Sequence, residues 1–109
     1  MNNKTSYVIS MENKDVREVN KLVDNVMEKA KRLDKDWDTL DSINYSDGTY
    51  RLAKERQLPE PDDWVALHNN FVKEYHAKVE ENVNELEKAI SQLGRKIENL
   101  KNPGGEINE

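Results

Sequence analysis

At 109 residues, with 35% apolar and 36% charged side chains, the chain is one small domain with little material for a spherical core. A formal net charge of −5, with no stripe of Lys or Arg, excludes a nucleic-acid binder that works by neutralising phosphates; it permits a protein partner with a basic surface. The absence of cysteine excludes disulfides, Cys-based zinc sites and thiol nucleophiles together.

No segment is long and apolar enough to span a bilayer, and no apolar core follows Met1 to Lys4 as a cleaved signal peptide requires. A cytoplasmic protein without membrane contact is therefore expected. The Asn- and Lys-rich composition suits an AT-rich genome such as that of a low-GC bacterium or its phage.

In chain order, residues 1–12 form an arm in which Thr5, Tyr7, Ile9 and Met11 alternate with Ser6, Val8 and Ser10, the pattern of a short strand or of an extended segment lying on helices. Helix one is predicted over 13–41, capped by Asn13 or Ser10. Its apolar set is Val16, Val19, Val23, Val26, Ala30, Leu33, Trp37 and Leu40, spaced by threes and fours.

Residues 42–60 interrupt the pattern. Asp47-Gly48 can close a hairpin between 43–45 and 49–51, whereas Thr49 can cap a short helix through Leu58 that Pro59 ends. The helical option is preferred, because residues 52–57 are good helix formers.

A long second helix is predicted over 61–102, with Pro61 at the first position and Asp62 and Asp63 against the positive end of the dipole. Asn102-Pro103-Gly104-Gly105 is its stop signal, and 103–109 read as a flexible tail. The first half of this helix has two apolar rows, Val65, Val72 and Val79 beside Trp64, Leu67, Phe71 and Tyr75, which calls for two covering elements.

Farther on, Val79, Val83, Leu86, Ile90, Leu93, Ile97 and Leu100 repeat with the four-three spacing of a coiled coil. Helix one, at about 27 residues, is roughly 20 Å shorter than its neighbour. An antiparallel hairpin then leaves Ile90, Leu93, Ile97 and Leu100 for the arm or for a second chain. The strict repeat favours a second chain, so Val83, Leu86, Ile90, Leu93, Ile97 and Leu100 are expected to form the self-association seam of a homodimer.

Asp34, Asp36, Asp38 and Asp41 hold the most site-like run. Carboxylates at positions one, three and five match the start of an EF-hand loop, but Thr39 stands where Gly is needed and Tyr45 where the bidentate Glu belongs. Four Asp near a helix C-terminus oppose the macrodipole, so a partner-binding acidic knob is the functional reading beside that of a solvated helix end.

Tyr45, Tyr50, Trp64, Phe71 and Tyr75 surround the connection as a small core or as an exposed patch; Tyr45 and Tyr50 join the four Asp as candidate partner-binding residues. His68 and His76 lack the spacing of a metal site, and His76, on the row of Val72 and Val79, is expected to be half-buried. Gly94 inside the long helix costs about 1 kcal/mol against Ala and leaves room for a close neighbour. No phosphate loop, nucleophile elbow or dinucleotide fingerprint appears, and neither a catalytic role nor a cofactor or metal is expected.

In size, acidity and helical-hairpin layout the chain resembles WXG100-type secretion partners. That family carries Trp-x-Gly at its turn, whereas here Trp37 lies within helix one and Gly48 is eleven residues on.

The expected object is thus an all-α, elongated antiparallel helical hairpin with a short helix in the connection. Its expected function is non-enzymatic protein–protein interaction, as a small adaptor, inhibitor or assembly factor. An acidic phage- or mobile-element-encoded inhibitor that mimics nucleic acid to block a basic host-defence or DNA-processing enzyme is the alternative, and a WXG100-like secretion partner the second.

Overall fold

The structure, a computed structural model, describes residues 12–101. The expected arm at 5–11, the stop signal at 102–105 and the tail lie outside the described residues. Three helices make an elongated all-α unit: α1 (Asn13–Tyr45), α2 (Gly48–Glu55) and α3 (Trp64–Lys101). The two long helices run antiparallel, with α2 packed across the end where they meet. None of the described helices is long and apolar enough to cross a membrane.

Capping fixes the helix starts. Glu12, not Asn13 or Ser10, precedes α1, and its backbone N–H donates to Asp15 Oδ2 at 3.1 Å. α3 begins at Trp64, three residues later than expected, because one carboxylate oxygen of Asp63 accepts from the N–H groups of Val65 at 3.0 Å and Ala66 at 3.2 Å.

The connection takes the helical option, but with Asp47 rather than Thr49 at the cap and with the helix ending at Glu55 rather than Leu58. Asp47 sits at the N-cap of α2 and accepts from Arg51 Nε at 2.9 Å, a bond that holds its carboxyl below the ordinary range. The helix closes on Gln57 in the left-handed region (φ 57°), with Leu58 N–H on Ala53 O and Gln57 N–H on Lys54 O, both at 3.0 Å. This is a Schellman ending in which Gln occupies the place Gly usually takes.

Leu40, Ile43, Leu52, Ala53, Phe71, Tyr75 and Val79 form the buried core at the junction of all three helices, flanked by Leu33, Leu67 and Val72. Burying each large member contributes about 1.5–3 kcal/mol. Gly48 is required by packing: a Cβ there would lie 2.5 Å from Ile43 N and from Ser42 C, both backbone atoms of the last turns of α1. Arg56 ties α2 to α3 through both carboxylate oxygens of Glu74 (2.9 Å to Oε1) and lies 5.3 Å from the Phe71 ring centroid.

Away from the junction the two long helices meet along a narrow seam. The seam residues of α3, all half-buried or buried, are Val72, Tyr75, Val79, Asn82, Leu86, Ala89, Leu93, Lys96 and Leu100, and those of α1 are Asp15, Val19, Leu22, Val26, Lys29, Leu33, Asp36, Leu40 and Ile43; Val23 and Asn25 on α1 and Glu85 on α3 are half-buried beside them. Both rows alternate threes and fours, the a and d positions of an antiparallel coiled coil. Three polar links fix the alignment: Asn82 to Asp36 at 2.7 Å, Lys29 to Glu85 at 3.8 Å, and Lys96 to Asp15 and Glu18 at 2.9 and 2.8 Å.

The length deficit expected of helix one is smaller than the sequence spacing suggested. α1 has 33 residues against 38 in α3, and its first turn reaches Lys96. Leu86, Leu93 and Leu100 are accordingly half-buried on the seam to α1 of the same chain, and Ala89 is buried there at 2% exposure.

Candidate functional site

Two exposed surfaces stand out on this frame. The first is a flank of the hairpin. In an antiparallel coiled coil the residue following each d position lines one side of the seam on both helices. On α1 those positions are Val16, Val23, Ala30 and Trp37; on α3 they are His76, Val83, Ile90 and Ile97. A shallow groove lined jointly by Ala30, Leu33, Asp34, Trp37 and Val83 shows that the two rows share one side. The opposite side carries Glu85, paired with Lys29.

The flank is apolar and open: Trp37 and Ile90 are each 52% exposed, Val16 41%, Ile97 40% and Val83 39%. The six expected seam residues on α3 therefore divide. Leu86, Leu93 and Leu100 face the chain's own α1; Val83, Ile90 and Ile97 lie on the flank. Met27 and Gly94 border it, and nothing lies within 4 Å of a Cβ placed on Gly94.

The second surface is the bend. Residues 34–63 hold nine carboxylates (Asp34, Asp36, Asp38, Asp41, Asp47, Glu55, Glu60, Asp62 and Asp63) against four bases (Lys35, Arg51, Lys54 and Arg56), a surplus of five that equals the net charge of the whole sequence. The four aspartates of α1 do not converge. Asp36 turns inward, to Asn82. Asp34, Asp38, Asp41 and Tyr45 are spaced four, three, four and form one outward ridge, all of them exposed.

Tyr45 at the ridge end is 85% exposed. Tyr50 and Trp64 stand on another side of the bend, their ring centroids 6.0 Å apart, and line a groove with Ile43, Val65 and His68. The aromatic set expected around the connection is thus split, with Phe71 and Tyr75 in the core and Tyr45, Tyr50 and Trp64 toward solvent.

His76 is exposed on the flank rather than half-buried in the core, because the seam passes through Tyr75 and Val79 instead. His68 is half-buried, with Nδ1 3.1 Å from Thr49 Oγ1. Among the described residues no group of three His, Asp or Glu side chains is arranged to hold a metal ion.

Sequence reasoning missed Asn82, Ala89 and Lys96, the polar and small members of the seam, because apolar periodicity carries no signal for them. Compared with family models, with curated proteins and with solved structures, the chain has no match in any of the three.

Proposed function

We propose that the chain is a non-enzymatic protein-interaction module, a small adaptor or assembly factor, that meets a basic protein surface through its bend. The observation that carries this reading is the segregation of charge: the whole net surplus of carboxylates lies on residues 34–63, where Tyr45, Tyr50 and Trp64 are exposed beside it. Carboxylates steer a basic partner and set its orientation, while desolvated aromatic side chains supply most of the affinity.

Affinity capture with the full chain tests this at low and high salt, comparing the native sequence with Asp38→Asn/Asp41→Asn and with Tyr45→Ser/Tyr50→Ser. The reading predicts a protein that is retained at low salt, weakened by salt and by loss of the carboxylates, and lost with the tyrosines. Partners whose retention ignores both pairs of substitutions contradict it.

The same charge surplus favours a second reading, an acidic inhibitor that occupies the nucleic-acid groove of a basic enzyme. Its acidic row is short, since Asp34, Asp38 and Asp41 span only about 10 Å of helix. Nucleic acid would compete the captured protein off under this reading and leave it bound under the first.

A further inference from the structure

The flank is a surface separate from the bend, and we propose that its occupant is a second copy of this chain. Two hairpins stack flank to flank about a two-fold axis, α3 antiparallel to α3 and α1 antiparallel to α1, to give a four-helix bundle. This rests on the reading of the chain as an interaction module, but it concerns a different face.

Size is the first ground. Flank positions recur every seven residues over 16–37 on α1 and 76–97 on α3, at matched levels set by the Lys96 to Glu18 and Lys29 to Glu85 links. The face is about 30 Å long. Two helices spaced 8–10 Å apart make it about 20 Å wide. The resulting footprint of roughly 600 Å² approaches the ~800 Å² per partner of a stable interface. That outline sits at the upper end of the roughly 300–600 Å² that the largest apolar patch on a monomer covers.

Self-complementarity is the second ground, and it selects the pairing. With the axis beside Ile90, Ile90 meets its own copy and Val83 meets Ile97 of the partner subunit. The same register brings Glu80 level with Lys101 of the partner subunit. Glu87 comes level with the partner's Gly94, where there is open space for its stem.

On α1, Val23 meets its copy and Val16 meets the partner's Ala30, while Trp37 extends past the start of the partner's α1 and stays outside the contact. The other two-fold arrangement, α1 on the partner's α3, sets Asp34 against Glu80 and Met27 against Glu87. Like charges face each other there, and an apolar side chain is capped by a carboxylate.

Sedimentation equilibrium of the full chain tests the assembly, and the absence of native cysteine makes cross-linking clean. The expected mass is twice 12.7 kDa. Ile90→Glu should give a monomer with unchanged helical circular dichroism. Glu80→Lys and Lys101→Glu should each weaken dimerisation roughly two- to tenfold, with recovery when both are combined.

On mild oxidation Ile90→Cys should form a symmetric disulfide, and Glu81→Cys, on the outer face, should not. Removal of residues 1–11 should leave the dimer intact. A chain that is monomeric at all concentrations, or one that becomes dimeric only without residues 1–11, overturns the proposal. So does a dimer that Ile90→Cys does not cross-link. A monomer that still captures its target through the bend removes this inference alone; a cross-linked dimer indifferent to the Asp and Tyr substitutions removes the bend reading alone.

Discussion

Asn82 donates to the Asp36 carboxylate at 2.7 Å across the two long helices, and the same side-chain nitrogen lies 3.4 Å from the Arg32 carbonyl oxygen. Both residues occupy seam positions that an apolar side chain would fill more cheaply. Polar pairs at such positions fix register at some cost in stability.

Asn82→Ala should therefore destabilise by about 1–3 kcal/mol, because it leaves a half-buried carboxylate short of a donor. The double substitution Asp36→Leu/Asn82→Leu should be near neutral or stabilising in urea denaturation. Its cost should appear in alignment instead, as broadened amide resonances along α1 and α3.

Lys96 predicts a pH dependence with two edges. Its bonds to Glu18 and then Asp15 hold the ammonium above its ordinary 10.5, and the same contact holds the Asp15 carboxyl below its ordinary 3.8. The raised ammonium contributes stability that is complete below 10.5 and is lost as pH rises through the folded value. The depressed carboxyl contributes stability that is complete above 3.8 and is lost as pH falls through its folded value. The difference in Tm between the native chain and Lys96→Met should be flat between about pH 5 and 9 and shrink beyond both edges.

The short helix offers a pair of opposite effects. Gly48→Ala drives a methyl into the backbone of Ser42 and Ile43 and should cost about 1–3 kcal/mol. Gln57→Gly relieves a left-handed residue at the end of the same helix and should raise stability by up to about 1 kcal/mol. Chemical denaturation of the two variants checks both signs.

Glu74→Gln tests the clamp on α2. Arg56 holds the Glu74 carboxyl below its ordinary range, mainly by direct hydrogen bonding. Removing the charge should speed amide exchange in α2 while leaving exchange at Leu86 and Leu93, far along the hairpin, unchanged.

The class of the fold and the order of its helices were legible because each helix carries its own apolar spacing and its own turn chemistry. What was not legible is which apolar row faces inward. On both long helices the residue after most d positions is apolar: Val16, Val23, Ala30 and Trp37, then Val83, Ile90 and Ile97, with His76 and Asn44 the exceptions. Several d positions themselves carry Asp15, Lys29, Asp36, Asn82, Ala89 and Lys96. A count of apolar residues therefore finds the a positions of the seam but takes the flank for its d positions.

The end of α1 was misplaced for a related reason. Asp41 looks like a stop, yet Ile43 two residues later is buried against the core and carries the helix on to Tyr45. The bend was legible as composition, from its aspartates and tyrosines. It was not legible as geometry, since only the register shows that Asp36 turns inward while Asp34, Asp38 and Asp41 form one ridge.

Methyl NMR with a soluble paramagnetic agent tests most directly the claim that the chain closes its own seam and keeps the flank for association. In dilute solution the Val83, Ile90 and Ile97 methyls should bleach strongly while Leu86 and Leu93 stay protected, and the first three should become protected as concentration rises. Protection of all five at every dilution, or bleaching of Leu86 and Leu93 alongside the others, would contradict it.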